Sequence, residues 1–214
     1  MQMMTLKILP YMLNNNKKKV NVFMDEIHNI VNNSGIIVYP TETLYAIGAS
    51  ALDAKAISKI YSIKKRPRKK PISIAVHDIT EMKKYVVTTD LSDSLAKRFL
   101  PGPLTLVLNN RGILSGIKDS KLGVRIPLHP VARKITEVCG PLTVTSANIH
   151  GARDPIDVIT AQKQLGSKID IYIDGGKCRI AKGSTVVDLS NDKPRIIREG
   201  AIPKNILEKY INAT

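Results

Sequence analysis

Apolar positions along the chain follow two different spacings, one typical of helices and the other typical of strands. Apolar residues three or four positions apart indicate amphipathic helices, and short apolar runs bounded by Gly, Pro or Asn indicate buried strands. The first spacing predicts helices over residues 21–33, 53–63, 91–100, 130–138, 158–165 and 203–211. The second predicts strands over residues 35–40, 71–76, 104–110, 122–127, 142–148, 170–173, 184–189 and 195–198. Because helices and strands alternate along the chain without an internal repeat, we predict a single α/β domain.

Capping residues and composition mark the boundaries of some of these segments. Asp53 is a suitable N-cap for the second helix, and Asp90 or Ser92 is a suitable N-cap for the third. Residues 14–19, with the sequence NNNKKK, form a polar low-complexity stretch that is typical of a linker. We therefore predict an N-terminal extension or linker over residues 1–20 and the α/β domain over residues 21–214.

Cysteine use and hydropathy favour a cytoplasmic protein. Cys139 and Cys178 lack the paired spacing of a metal or redox site, so we expect buried thiols in a reducing compartment and no metal-binding residues. No apolar run approaches the roughly 20 residues of a membrane-spanning helix, and the first residues lack the features of a signal peptide. We therefore expect no membrane partner.

The charge balance narrows the class of ligand. The chain has 33 Lys and Arg against 18 Asp and Glu, a formal net charge of +15, and such a field concentrates nucleotides, RNA and other anions. Residues 64–70 are all basic except Pro67. This run is open to three interpretations: a solvated surface patch, a nucleic-acid footprint, or part of an anion-binding site. The chain has only two Phe and no Trp, which argues against base stacking as the main mode of binding.

Candidate chemistry lies at the ends of predicted strands, where α/β proteins commonly place their sites. The chain has no P-loop, no G-x-G-x-x-G turn and no H-E-x-x-H or G-x-S-x-G motif. The candidate stretches are instead YPTET (39–43), KKRP (64–67), VRIP (124–127), TSAN (145–148) and GSTVVD (183–188). They offer cations and hydroxyl groups but few carboxylates and no evident general base. This inventory favours charge neutralisation and positioning of anionic reactants over acid–base catalysis.

Taken together, these stretches resemble the YrdC/TsaC family of threonylcarbamoyl-AMP synthases from about Ser34 to Gly200. The matching segments, in the order of the family, are GIIVYPTETLYAIGASA, KKRPRKKP, FLPGPLTLVL, GVRIPLHPVA, LTVTSANIHG, GSTVVD and IIREG. The resemblance implies a twisted, mixed sheet flanked by helices, with a basic concave cavity. It also implies synthesis of threonylcarbamoyl-AMP and pyrophosphate from L-threonine, bicarbonate and ATP, with Mg²⁺ as cofactor. A partner enzyme would transfer the threonylcarbamoyl group to the adenosine beside the anticodon of certain tRNAs.

The resemblance also implies roles for individual residues. The catalytic residues would be Lys64, Arg66, Ser146 and Asn148. The ATP-binding residues would be Lys64, Arg68, Ser146, Asn148 and Arg198. The L-threonine-binding residues would be Thr41, Arg66, Arg125 and Ser184.

The chain departs from the family pattern at several positions, and other functions stay open at this stage. Lys65 stands where many relatives carry glycine, residues 154–157 read DPID where an S-P-T sequence is usual, and Arg198-Glu199-Gly200 stands in place of R-P-G. The competing interpretation is a non-catalytic basic RNA-binding module. A carbamoyltransferase-type maturation protein is disfavoured because such proteins are much longer and carry zinc-finger cysteines, which this chain lacks.

Overall fold

The computed structural model describes residues 17–212, with the side chain of Lys17 left aside. Within these residues the α-helices are α1 (Lys17–Asn32), α2 (Ala54–Ile63), α3 (Ile79–Tyr85), α4 (Asp90–Phe99), α5 (Pro130–Cys139), α6 (Val158–Leu165) and α7 (Lys204–Ile211). The strands are β1 (Ile37–Tyr39), β2 (Ala46–Gly48), β3 (Ser73–Ala75), β4 (Val86–Val87), β5 (Leu104–Asn110), β6 (Lys121–Arg125), β7 (Leu142–Ser146), β8 (Ile171–Tyr172), β9 (Thr185–Asp188) and β10 (Arg195–Arg198). A short 3₁₀-helix, Gly166–Lys168, follows α6.

All of these strands join one mixed sheet. Its order is β10-β9-β5-β6-β3-β7-β2-β1-β8, and β4 pairs with β5 outside this path. The pairs β1·β8, β3·β6 and β5·β9 are parallel, and the other pairs in the path are antiparallel. The predicted class, a mixed α/β sheet flanked by helices, is confirmed.

The two faces of the sheet are covered unequally. The larger apolar cluster packs α2, α3, α4, α6 and α7 against one face. The smaller cluster packs only α1 and α5 against the other face, mainly over β1, β2, β7 and β8. Strand β1 shows the alternation expected of a strand buried on both sides, since Val38 belongs to the larger cluster while Ile37 and Tyr39 belong to the smaller one. One half of the second face, over β3, β6, β5 and β9, is therefore left without a helix from these clusters.

Most of the predicted segments form, and the differences concern short elements and ends. Helix α1 begins at Lys17 rather than at residue 21, so the described part of the predicted linker, residues 17–20, is helical; Asn14–Asn16 lie outside the described residues. The sequence pattern missed β2, α3 and β4.

Helix caps explain where two helices begin. Asp53 caps α2 as predicted, and its carboxylate accepts from Lys55 N and Ala56 N. The predicted cap of α4 is wrong: Thr89 is the N-cap and forms a reciprocal capping box with Ser92.

No helix among residues 17–212 has the length and apolar character needed to span a membrane.

Candidate active site

A cavity of ≈ 480 Å³ lies over the half of the sheet that α1 and α5 leave uncovered. Along the strands beneath it, residues that line the cavity alternate with residues of the larger core. Ser73, Thr105, Arg125 and Val186 line the cavity, and their neighbours Ile74, Leu106, Val124 and Val187 are core residues. Because successive side chains of a strand point to opposite faces, polar residues in otherwise apolar strands face this cavity.

The end of α2 presents the first residues of the basic run to the site. Lys64 is the C-cap of α2, and Lys65 adopts a φ of 51°. Arg66 N donates to Tyr61 O at 2.9 Å, and Lys65 N donates to Ser62 O at 3.1 Å. This pair of hydrogen bonds is the Schellman motif, which needs a left-handed residue after the C-cap. The turn therefore gives a physical reason for the glycine that the resemblance leads us to expect at the position of Lys65, and it sends Lys64 and Arg66 in different directions.

Lys64 is buried, with 1% of its surface exposed, and it points inward to the loop after β7. Its ammonium group donates to the backbone oxygen of Ser146, to Asn148 O at 2.7 Å and to Asn148 Oδ1 at 3.1 Å. These oxygens match the three donors of an ammonium group. Burial, assisted by the charge of Arg66, lowers the pKa of Lys64 to about 8, while Asp154 acts in the opposite direction. Lys64 lies behind the cavity wall and fixes the loop that forms this wall.

Ser146 and Asn148 are held as one unit with Lys64. Ser146 Oγ donates to Asn148 Oδ1 at 2.7 Å, and Asn148 Nδ2 donates to Ala152 O at 2.7 Å. Ser146 lines the cavity, whereas Lys64 and Asn148 do not. In this arrangement Ser146 is the member of the unit that can meet a ligand, and the other two set its position.

Arg66 and Arg68, two residues apart, lie in different places. Arg66 lines the cavity, donates from Nη2 to Pro71 O at 2.9 Å and has a buried Nε without a hydrogen-bond partner; burial lowers the pKa of its guanidinium. Arg68 is exposed, donates from Nη2 to Ser58 Oγ at 2.5 Å and stands 5.4 Å from the centre of the Tyr61 ring. Because Arg68 packs on the outside of α2, the structure does not bring it to the cavity with Ser146 and Arg198, the predicted ATP-binding residues that line it.

Arg125 is a buried cation at the end of β6. It is 5% exposed and lines the cavity. Its Nη2 lies 2.8 Å from Glu42 Oε1, an ion pair whose geometry is not that of a hydrogen bond, and its Nε also has no hydrogen-bond partner. Unsatisfied buried guanidinium donors are costly and suit an anionic ligand.

Thr41 and Ser184 line the same cavity and are both buried. Thr41 Oγ1 donates to Leu44 O at 2.6 Å and accepts from Thr43 N and Leu44 N at 3.2 Å, so it fixes the turn between β1 and β2. Ser184 Oγ shares a hydrogen bond of 2.8 Å with Thr105 Oγ1. Both predicted threonine-binding hydroxyls are thus on the cavity wall, within small hydrogen-bond networks.

Arg198 reaches the cavity from β10. Its Nε and Nη2 donate to Ser184 O at 3.1 Å and 2.8 Å, and partial loss of hydration lowers the pKa of its guanidinium. The close approach of the two segments requires Gly200, since a Cβ there would lie 2.2 Å from Gly183 O. Ser184 and Arg198 therefore form one corner of the site, although 14 positions separate them in the chain.

Several cavity residues were not found from the sequence. Lys182, Asp154 and Glu199 line the cavity from exposed loop or strand-end positions, and their surroundings in the sequence carry no signal that distinguishes them from solvated charges. Thr105 was recognisable in principle, because it interrupts the apolar segment Leu104–Leu108 of a central strand.

Among the described residues, no group of three or more His, Cys, Asp or Glu side chains is placed to hold a metal ion.

Comparison with known proteins gives consistent matches over most of the chain. The family model Sua5_yciO_yrdC, described as telomere recombination, matches residues 29–200. A curated protein of Methanocaldococcus jannaschii, provisionally named a threonylcarbamoyl-AMP synthase, is 42% identical over 87% of this chain and 88% of its own length. The threonylcarbamoyl-AMP synthase of Pyrococcus abyssi is 36% identical over 82% of this chain and 53% of its own length.

A solved structure supports the same relationship. The crystal structure of P. abyssi Sua5 complexed with L-threonine has a TM-score of 0.83 and 34% identity to this chain. The match covers 88% of this chain and 57% of the Sua5 chain. The chain thus spans slightly more than half the length of these P. abyssi proteins and nearly the whole length of the M. jannaschii relative.

Proposed function

Because the chain belongs to the Sua5/YciO/YrdC family, we propose that it is an L-threonylcarbamoyladenylate synthase. It makes threonylcarbamoyl-AMP and pyrophosphate from L-threonine, bicarbonate and ATP. The observation that carries the proposal is the cavity over the uncovered half of the sheet, where Arg66, Arg125, Lys182 and Arg198 converge. All three substrates bear negative groups, which would repel one another in one cavity without such cations.

We assign the two larger substrates to two sets of residues around the cavity. Arg125, Thr41 and Ser184 would bind the amino acid, with the guanidinium facing its carboxylate and the hydroxyls facing its polar groups. Arg198 and Ser146 would bind the phosphates of ATP, and so would Arg66, which the resemblance assigns to catalysis and to threonine binding. Lys64 and Asn148 would act from behind by holding Ser146 in place, since the Lys64 ammonium already has three oxygen partners.

The reaction needs positioning and charge stabilisation rather than a protein nucleophile. The neutral amine of threonine adds to the CO₂ that bicarbonate releases together with hydroxide, and the proton lost from the nitrogen combines with this hydroxide to form water, which leaves a carbamate. A carbamate oxygen then attacks the α-phosphorus of ATP, and pyrophosphate leaves from the opposite side. The guanidinium groups of Arg66 and Arg198 would stabilise the negative charge on the phosphate oxygens during this step.

Mg²⁺ would enter with ATP rather than occupy a site made by the protein alone. Asp154 and Glu199 are the acidic side chains on the cavity wall, and Mg²⁺ is commonly held by one or two carboxylates together with substrate phosphates and water. The residues present therefore fit a substrate-borne ion. Mg²⁺ would offset part of the triphosphate charge.

The product is a reactive mixed anhydride that must be passed on. The acceptor would be the adenosine beside the anticodon of certain tRNAs, and a separate threonylcarbamoyl-transferase partner would carry out the transfer. The net charge of +15 is compatible with a tRNA nearby.

The direct test is to incubate the protein with L-threonine, bicarbonate and Mg-ATP. We expect threonine-dependent release of pyrophosphate and a threonylcarbamoyl-AMP product detectable by mass spectrometry. Arg66→Ala should lower kcat/KM on the order of 100-fold, because it removes a charged donor from the reacting phosphates. The matched control is Lys69→Ala, which changes an exposed residue of the same basic run and should leave the rate within twofold.

Two outcomes would contradict the proposal. Equal activity of Arg66→Ala and Lys69→Ala would remove Arg66 from the reaction. Salt-dependent RNA binding without any threonine-dependent pyrophosphate release would instead favour a non-catalytic RNA-binding module.

A further inference from the structure

Glu42 is a buried carboxylate next to the candidate threonine site, and the proposed reaction gives it no role. Only 6% of its surface is exposed, and it does not line the cavity. A buried carboxylate is costly unless it is paired. Its contacts therefore indicate what it does.

Glu42 holds together the segments that surround the threonine side of the cavity. Its Oε1 lies 2.8 Å from Arg125 Nη2. Its Oε2 accepts a hydrogen bond of 3.1 Å from Leu128 N, just after β6. Its backbone oxygen accepts one of 3.0 Å from Ile180 N, in the loop that leads to Ser184. The carboxylate thus faces Arg125 and a backbone N–H, and not the cavity.

The pairing with Glu42 leaves donors of Arg125 free for a ligand. Glu42 Oε1 is close enough to Arg125 to hold the guanidinium by charge, yet neither Nη2 nor Nε of Arg125 has a hydrogen-bond partner in the described residues. A guanidinium binds a carboxylate best through two parallel N–H groups in one plane. An arginine held from one side and unsatisfied elsewhere suits this mode of binding.

The geometry points to Glu42 as the positioning residue that orients Arg125 for the carboxylate of the amino-acid substrate. The inference rests on the proposed function, because it assumes that the amino acid binds at Arg125. Glu42 acts through Arg125 and does not touch the substrate. Its loss therefore affects threonine binding much more than ATP binding, because Glu42 forms its ion pair with Arg125 and the proposed phosphate ligands Arg66 and Ser146 have their hydrogen bonds with other residues.

Glu42→Gln is the informative substitution. Glutamine has nearly the same shape and can still accept from Leu128 N, so the variant removes the charge opposite Arg125 and keeps the tie to the loop. We expect the KM for threonine to rise at least 10-fold, and calorimetry should show an equal loss of threonine affinity. The KM for Mg-ATP should stay within twofold. The control is Glu137→Gln, at an exposed acid on α5 paired with Lys134, which should change neither KM.

A double-mutant cycle separates positioning from a general structural effect. In an Arg125→Gln background, adding Glu42→Gln should cause less than a twofold further loss of threonine affinity, because the group through which Glu42 acts is already absent. Independent losses that multiply would overturn the inference. Equal increases in the KM for threonine and for Mg-ATP would also overturn it.

Folding and function can be distinguished within the same set of proteins. If Glu42→Gln does not fold, Glu42→Asp can replace it. The shorter side chain keeps the negative charge but places it farther from Arg125, so the KM for threonine should rise several-fold while the KM for Mg-ATP stays unchanged. An unchanged KM for threonine in Glu42→Asp would overturn the inference. A wild-type protein that neither binds threonine nor releases pyrophosphate would overturn the proposed function and this inference together. An active wild type with an unaffected Glu42→Gln variant would overturn only the inference.

Discussion

At the scale of single residues, the site depends on cations with different tasks. Lys64 and Arg125 are both buried, but Lys64 has oxygen partners for its donors whereas Arg125 has donors left over. The first arrangement fixes a loop, and the second can bind an anion. Burial and hydrogen-bond partners, rather than residue type, distinguish the two roles.

The lowered pKa of Lys64 has a consequence for stability that can be measured. Its pKa is about 8 in the folded protein, below the ordinary value of 10.5. Between these values the unfolded chain binds more protons than the folded chain, so the free energy of unfolding rises with pH. Between pH 7 and pH 9.5 we expect a gain of about 1–2 kcal/mol for the wild type relative to Lys64→Met.

Urea unfolding of both proteins at the two pH values measures this difference, and the Lys64→Met variant corrects for the other titrating groups. An unchanged or reversed difference between the two proteins would show that Lys64 does not titrate in this range.

At the scale of elements, the end of α2 determines which residues of the basic run reach the site. The Schellman motif requires a left-handed conformation at Lys65, which costs an L-amino acid about 1 kcal/mol. Glycine adopts this conformation without that cost. The departure from the family pattern at Lys65 is therefore tolerated with some local strain, and the backbone turn is kept.

Replacing Lys65 by glycine should stabilise the protein. We expect Lys65→Gly to raise the free energy of unfolding by about 0.5 kcal/mol, since the relief of strain exceeds the extra entropy of glycine in the unfolded chain. Lys69→Gly, in the same run but without a positive φ, should lower it by about 0.5–1 kcal/mol. Chemical denaturation of the two variants measures both effects. A Lys65→Gly variant as destabilised as Lys69→Gly would refute the role of the turn.

At the scale of the whole molecule, the site exists because helices cover the two faces of the sheet unequally. Helices α1 and α5 cover the strands at one end of the second face, and the remaining strands present Ser73, Thr105 and Arg125 to the cavity. Basic side chains then converge on this open half from β6, β10 and the loops. The net charge of +15 adds a long-range field of the same sign.

Because of this field, we expect the KM for Mg-ATP and the KM for threonine to depend differently on salt concentration. Mg-ATP carries net negative charge, whereas threonine is a zwitterion, and salt screens the attraction of the first much more than that of the second. Raising KCl from about 50 to about 300 mM should increase the KM for Mg-ATP several-fold and change the KM for threonine less than twofold. Steady-state assays at constant Mg²⁺ measure both values. Equal changes in the two KM values would show that the charge of the molecule does not steer the nucleotide.

Much of the fold and part of the site follow from local sequence patterns. Strand β5 forms over the predicted residues 104–110, and α6 over 158–165, because apolar spacing, turn residues and caps act within a few positions of one another. The same short-range motifs place Thr41, Arg66, Arg125, Ser146, Ser184 and Arg198 at strand or helix ends, and all of these residues line the cavity.

Tertiary structure alone decides which of these polar groups meet, and how each is partnered. Lys64, Arg66 and Arg68 are nearly adjacent in the sequence, yet the first lies behind the cavity wall, the second lines it, and the third packs outside on Tyr61. Nothing in the sequence marks Glu42 and Arg125 as partners. Folding buries both side chains and brings Glu42 Oε1 to 2.8 Å from Arg125 Nη2. Local patterns depend on neighbours in the chain, whereas burial and charge pairing depend on segments brought together from far apart, so the latter become visible only in the folded molecule.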